Sequence, residues 1–446
     1  MAVPRVLTGW GGGAGASVRL VRPRELGAVA ELLASLPGES AIVRGMGRAY
    51  GDAAQLTGGI VIDATLLRSF AIDRRLGTVT AQAGATLGGL LGALAGTGWS
   101  LPVVPGTQHV TIGGAIASDV HGKNHGCAGS FGDHVQALGL LTADGRELEL
   151  SREHDPSLFA ATIGGMGLTG MVAWARVKLV AAGSGWVSVD TTRVDGIDAA
   201  ISALSAPGGE HGVAWLDLLG AAPARGVVTR AAELDADPAG RGAGSRTVAA
   251  RAALPARWSR GVLRPVLLRA YNELRYRRAP RHEVGRAERF GPHQFALDAL
   301  GGWPRLYGAG GFVQYQFVVP VGQERTVERV ITRLRKSPVP CYLAVLKRLG
   351  AGNESPLYFP LAGWTLALDM PGRAPGLESL QSGFDDLVLQ AGGRVYLTKD
   401  ARLSPGVVGA MYPALERWRS VRDRVDPDGR WRSDLGSRTG LVDGPR

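Results

Sequence analysis

The chain has 446 residues, enough for two or three domains at roughly 150 residues each. Hydrophobic residues make up 45% and charged residues 20%, which excludes disorder as the default; the 66 glycines follow no period, which excludes collagen-like and linker chains. A net charge of +11 favours anionic partners, from phosphates and nucleotides to acidic lipid or nucleic acid, and two distant cysteines, Cys127 and Cys341, exclude a disulfide framework or zinc-finger spacing.

The N-terminus carries no basic region followed by a long apolar stretch, so no cleaved secretory signal is expected, and no run of about 18 apolar residues would span a membrane. Residues 1–185 read as α/β. Ala41–Arg44 and Gly59–Asp63 are short strands, and Thr78–Ala83 could pair with the second of them. Ala85–Leu94 and Leu158–Thr162 read as helices. Val135–Leu141 and Glu147–Leu150 form a hairpin around Asp144-Gly145, and Met171–Leu179 is a strand.

Residues 186–393 change character. Strand-like stretches recur at Trp186–Thr191, Gly212–Leu218, Gly311–Pro320, Cys341–Lys347 and Trp364–Asp369, with a helix at Glu324–Lys336 between them. This pattern predicts an α+β domain on a broad antiparallel sheet. Residues 220–290, rich in Arg, Ala, Gly and Pro, read as a long, mobile basic insertion. A strand at Arg394–Thr398 and a helix around Ala410–Val425 occupy the last segment, 394–446.

Three glycine-rich segments stand out. The first, Val43–Asp52, follows a strand and contains Arg44, Gly45, Gly47, Arg48, Ala49, Tyr50, Gly51 and Asp52; small residues there let backbone N–H groups converge on a pyrophosphate. The second runs from Pro105-Gly106 to Gly122 and places Gly113-Gly114 at a helix start, where unpaired N–H groups favour an anion. The third holds G-x-G-x-x-G at Gly165, Gly167 and Gly170, but a helix precedes it and a strand follows, the reverse of a dinucleotide-binding unit. His121, His125 and His134, with Asp119 and Asp133, imitate a metal site. The interleaved glycines and Lys123 argue against one, and no metal is expected. Gln314 and Gln316 share one face of a strand, and Lys347 and Lys399 end apolar runs; together they suggest a polar ligand on the sheet.

The Val-Arg-Gly-x-Gly-Arg loop, the Pro-Gly-Thr to His-Gly-Lys-Asn-His string and Gly-Ser-Phe-Gly resemble the FAD domain of vanillyl-alcohol-oxidase, or PCMH-type, flavoproteins. Within them, the chain is similar to the oxidase subunits of the decaprenylphosphoryl-β-D-ribose 2′-epimerases; Phe312–Pro320, Tyr396–Asp400 and Ala410–Pro413 carry the likeness into the later region. The resemblance implies an α+β, two-domain PCMH-type fold: an FAD-binding domain at 1–185, a substrate domain at 186–393 and a C-terminal segment returning to the FAD domain. It implies FAD-dependent oxidation of the C2′ hydroxyl of a polyprenyl-phosphoryl-ribose lipid to a ketone. A separate NADH-dependent keto-reductase subunit would finish the epimerisation to an arabinose donor for cell-wall arabinan. A lipid substrate implies peripheral membrane contact without a transmembrane helix, on the cytoplasmic face or the periplasmic side.

By the same resemblance Lys399, His121 and Tyr50 are the catalytic candidates. FAD would be held by the first loop (Arg44 to Asp52), by Gly106, Thr111, Ile112, Gly113, Gly114, Ser118, His121, Gly122 and Asn124, and by Val172 and Tyr396. Gln314, Gln316, Lys347, Trp215, Thr365 and Ala367 would contact substrate. Related flavoproteins often bond the flavin covalently through a His in the first loop; Arg48 stands there, so FAD is expected to be non-covalent. Thr365 and Ala367 depart from the Asn and Cys of mycobacterial relatives, which puts substrate contacts in doubt. An alditol or aldonolactone oxidase acting on soluble sugars is the alternative. Nucleic-acid binding, suggested by the charge, finds no motif.

Overall fold

The computed structural model describes residues 3–35, 38–220, 224–240, 242, 244–254 and 261–442. Its first sheet has the spatial order Val3–Leu7, Ala16–Val21, Ile60–Asp63, Ala41–Arg44; the first pair is antiparallel and the others are parallel. A second, antiparallel sheet runs Phe70–Asp73, Thr78–Gln82, Met171–Lys178, Val135–Leu141, Glu147–Ser151. Thr78–Gln82 therefore pairs with Met171–Lys178 and Phe70–Asp73, not with Ile60–Asp63 as its sequence suggested. The hairpin at Asp144-Gly145 forms, with Gly145 at φ +84°.

The second region is built on one antiparallel sheet of eight strands. Their order is His282–Arg289, Trp186–Val194, Arg225–Leu234, His211–Asp217, Leu343–Leu349, Gly363–Pro371, Phe312–Pro320, Arg394–Val395. Helices Ile197–Ser205, Glu324–Lys336 and Leu377–Gln390 pack on one face of it. Glu324–Lys336 shows why: Val327, Val330, Ile331 and Leu334 recur at helical spacing and are all buried, while its arginines face out. Opposite them, Tyr315, Phe317, Val319, Leu366 and Leu368 alternate along their strands and join the same core.

Residues 220–290 are not the patternless insertion their composition suggested. They supply two of the eight strands, Arg225–Leu234 and His282–Arg289, and the helix Pro265–Arg278. His282–Arg289 is the edge strand and is mostly exposed, so it needs no apolar run. Arg225–Leu234 lies inside the sheet between Trp186–Val194 and His211–Asp217, and its buried Val227, Val228 and Ala231 are interleaved with half-buried polar residues. This region and the stretch after it dock on the N-terminal region: Val248 N donates to Gln108 Oε1 at 3.2 Å, and buried Asp298 accepts from Thr107 Oγ1 and Gln108 N at 2.8 Å each.

The C-terminal residues run back to the first sheet, where Trp431 bridges Ala41. The expected helix Ala410–Val425 is split into Pro405–Met411 and Leu415–Asp423, because Pro413 lies between them and lacks the N–H a continuous helix needs. Fully buried Asp426 holds this return. It accepts from Arg422 Nη2, Trp431 N and Arg430 N, each at 2.8 Å. Asp426→Ala leaves the buried Arg422 guanidinium without that partner. It should lower the unfolding free energy by about 3–5 kcal/mol, measured by urea titration of the purified protein.

Candidate active site

The face of the eight-stranded sheet turned away from the helices is polar at its centre. Register sets its rows. Trp215, Val345, Ala367 and Gln316 lie side by side across four strands; Asp369 and Gln314 pair one step away; Lys347 pairs with Thr365 on the other side. The structure thus brings together all six residues expected to contact substrate, and Gln314 and Gln316 share a face as their spacing required. Asp369 joins them. Gln314 Nε2 donates to its Oδ1 at 2.6 Å, and the Tyr307 hydroxyl lies 3.4 Å from its Oδ2.

The N-terminal region closes over this face. His121 stacks on Phe359 with centroids 5.5 Å apart and tilts against Tyr396 at 5.2 Å. Its Nε2 meets Gln316 Nε2 at 3.0 Å, and that amide also donates to Thr365 Oγ1 at 3.2 Å. Since the amide donates, the imidazole proton resides on Nδ1, which is buried without a protein partner and free for a ligand. Tyr396 is fixed by its hydroxyl, which donates to Ser118 O at 2.6 Å. His125 turns elsewhere: its Nδ1 accepts from Gly350 N at 3.0 Å and its Nε2 faces Ser130 Oγ at 3.3 Å.

Three half-buried lysines share this space. Lys399 Nζ sits 3.6 Å above the Tyr50 ring. Burial pushes it down to about 7, with Asp369 opposing the shift and Lys347 adding to it. Burial alone brings Lys347 to about 8; burial and the neighbouring Lys347, opposed by Glu288, bring Lys123 to about 8. Asp369 rises to about 6, because desolvation outweighs the amide of Gln314 and the charge of Lys399. His121 is held neutral by burial first and by Lys347 second. Sequence reasoning missed Asp369 although it continues the Thr365, Ala367 alternation. Tyr307 and Phe359 come from irregular segments and left no signal. Lys123 was weighed only as an argument against zinc.

The first glycine loop fits a pyrophosphate. Among the described residues, the half-buried N–H groups of Met46, Arg48 and Ala49 and the buried one of Gly47 donate to no protein acceptor. They form a turn with Gly47 at φ +61°. Other expectations for the cofactor site change. Ile112, Gly113 and Gly114 already donate to Ala85 O, Ala83 O and Thr111 Oγ1, so the helix start offers no free amide. Gly113 serves close packing instead: a Cβ there would stand 3.0 Å from that of Ala83. Arg44 is spent on Ala54 O and Thr8 O, and Asp52 on Arg438, both structural ties. Asn124 donates to Pro102 O, and Val172 is buried in the FAD-domain core. Gly106 stands beside open space, while a Cβ on Gly45, Gly51 or Gly122 would strike Thr111, Asp400 or Asn124.

A two-domain α+β fold with a loop of unpaired amides and a polar sheet face is that of an FAD-dependent oxidoreductase of the PCMH type, as its similarity to known proteins shows. Residues 18–151 match the family of FAD binding domains. Over 91% of its length the chain is 37% identical to decaprenylphosphoryl-β-D-ribose oxidase of Mycolicibacterium smegmatis, covering 90% of that protein. It is also 37% identical to an uncharacterised Streptomyces coelicolor protein over 77% of the chain and 96% of that protein. With mouse L-gulonolactone oxidase it shares 29% identity over only 36% of each. The chain belongs to the decaprenylphosphoryl-β-D-ribose oxidase family.

FAD is the cofactor, and the residue that would carry a covalent bond is absent from the first loop. Arg48 stacks its guanidinium 3.7 Å above the Trp10 ring. Acid precipitation should therefore release all the yellow colour into the supernatant; flavin left on the denatured chain would contradict this.

Proposed function

We propose that this enzyme oxidises the C2′ hydroxyl of a polyprenyl-phosphoryl-β-D-ribose to the 2′-ketone. The observation that carries the reading is Lys399, a half-buried amine near neutrality that faces the same polar strip as Gln314, Gln316 and His121. Oxidising a secondary alcohol requires loss of the hydroxyl proton and of the carbinol hydrogen, which leaves with its electron pair as hydride. Bound FAD supplies the electron sink. Lys399, as the free amine, accepts the proton at Nζ. The Tyr50 ring holds that amine in place, and Asp369 offsets the positive charge that results. His121 donates from Nδ1 to a ligand oxygen, and Gln316, steered by Thr365, orients the sugar. A separate NADH-dependent reductase then reduces the ketone from the opposite face, giving the arabinose donor for cell-wall arabinan. The likeness to the lactone oxidase covers about a third of the chain, against 91% for the decaprenylphosphoryl-β-D-ribose oxidase, which favours the lipid-linked sugar over a soluble one.

Anaerobic mixing with farnesylphosphoryl-ribose should bleach the bound flavin, whereas xylitol or a sugar lactone should not; the reverse result would favour the alternative. Lys399→Ala should keep its flavin spectrum but be reduced at least ~10²-fold more slowly. Because the working form is the neutral amine, the wild-type reduction rate should rise with pH through about 7 and level off above it. A rate that falls over this range would remove Lys399 as the proton acceptor.

A lipid substrate has to be collected from a membrane, and the helix Pro265–Arg278 suits that task. It lies against the substrate face, where Arg275 stacks 4.4 Å from the Trp215 ring and Asn272 donates to Asp217 at 2.9 Å. Its outer side leaves Val266, Leu267, Tyr271 and Leu274 exposed by 71%, 64%, 57% and 47%, beside Arg278. Such a stripe with flanking cations favours the interface of an anionic bilayer. Trp258 and Arg260, part of the same basic stretch in the sequence, lie outside the described residues. No helix among the described residues is long and apolar enough to cross a membrane. Co-sedimentation with phosphatidylglycerol vesicles should be lost in Leu267→Asp/Leu274→Asp. Binding that is indifferent to that pair, or to anionic lipid, would disprove the contact.

A further inference from the structure

The site buries more positive charge than it balances, and the imbalance is local. Lys399 has Asp369 beside it. Lys347 has no hydrogen bond or ion pair among the described residues, although it projects from the middle of a sheet face. Its electrostatic neighbours are Lys123, His121, His125 and Lys399, none of them anionic. Lys123 reaches the same region from the FAD domain; its Nζ donates to His293 O at 2.8 Å, and Glu288, on the sheet's edge strand, is its anionic neighbour, so the unbalanced charge is that of Lys347. Both lysines are largely desolvated. An ammonium group buried without a counter-ion is costly, and an enzyme retains one where a ligand brings the missing charge.

The two ends of the strip are separated along one strand. Asp369 marks the Lys399 end and Thr365, opposite Lys347, the other; four residues apart, they lie about 13 Å from each other along the backbone. In a ribose phosphorylated at C1′ the anion sits on the carbon next to the one that bears the reacting hydroxyl. The two long lysine side chains therefore have to converge from these backbone positions, and Lys347 does lie near enough to Lys399 to act on it electrostatically. We infer that Lys347 and Lys123 form the subsite for a phosphodiester monoanion and seat the substrate's phosphate while Lys399 attends the C2′ hydroxyl. The inference rests on the substrate reading above and adds the binding polarity. Lysine suits the task, because an ammonium acts as a point charge on phosphate and needs no fixed fork geometry.

Isothermal titration of the oxidised holoenzyme with dibutyl phosphate tests the subsite without turnover. The wild type should bind it. Lys347→Gln and Lys123→Gln should each weaken binding at least ~10-fold, the scale of one charge-assisted hydrogen bond. Lys347→Arg should restore most of the affinity, which separates lost charge from a damaged fold. Farnesylphosphoryl-ribose should lose affinity by the same factor in Lys347→Gln, whereas neutral farnesyl riboside should not. A wild type that ignores dibutyl phosphate, variants that bind it normally, or equal losses for charged and neutral ligands would each overturn the subsite. Charge-dependent binding of dibutyl phosphate without bleaching by farnesylphosphoryl-ribose would keep the subsite and overturn the substrate.

Discussion

Successive side chains on a strand point to opposite faces, and this site depends on that alternation holding across three neighbouring strands at once. In Phe312–Pro320, Tyr315, Phe317 and Val319 enter the core while Gln314 and Gln316 face the ligand side. Gly363–Pro371 repeats the division, with Leu366, Leu368 and Met370 against Thr365, Ala367 and Asp369. A slip of one residue between these strands would send the glutamines into the helices and the leucines into the site. The helical face prevents that slip. Its buried Val330, Leu334, Phe384 and Val388 fix the register, and the register places every polar group on the other side.

The second dependence is on closure. His121 belongs to the FAD domain and Gln316 to the substrate sheet, and their 3.0 Å contact is made only when the two are packed together. Tyr396 and Lys399 come from the segment that leaves the sheet, passes over the FAD domain at Ser118 and ends beside the first strands. Buried Asp426, far from the chemistry, therefore supports the site by holding the C-terminal return.

How much of this could be read from the sequence follows from the range of each constraint. Alternation is local, so the shared face of Gln314 and Gln316 was legible, and so were the glycine loop and the sheet class of the second domain. Partners distant in sequence were not. Nothing in the first loop says that Arg44 will be consumed by the carbonyls of Thr8 and Ala54, or Asp52 by Arg438. A Gly-Gly pair at a helix start looks the same whether its amides meet a phosphate or the carbonyls of Ala83 and Ala85. The strands within 220–290 were hidden because both mix charged residues with small and apolar ones, His282–Arg289 at the sheet edge and Arg225–Leu234 inside it, and composition alone cannot distinguish such a strand from a loop.

Burial is the common cause behind the electrostatics, and it explains why the one carboxylate of the strip is at one end. Desolvation drives Lys399, Lys347 and Lys123 down and Asp369 up, all toward neutrality. A group that must exchange a proton benefits from this, since it comes to rest near the working pH. A group that must hold an anion does not, because it binds as a cation. Asp369 offsets part of the burial cost at Lys399, leaving that amine poised between its two forms. Were a second carboxylate beside Lys347, it would neutralise the cation and repel a phosphate from the same place. Without one, the proton that burial loosens at Lys347 is held firmly again once an anion arrives. On the function proposed above, this asymmetry assigns two chemically identical side chains, Lys347 on a strand of the sheet and Lys399 in the turn just beyond its last strand, the different tasks of charge clamp and proton acceptor.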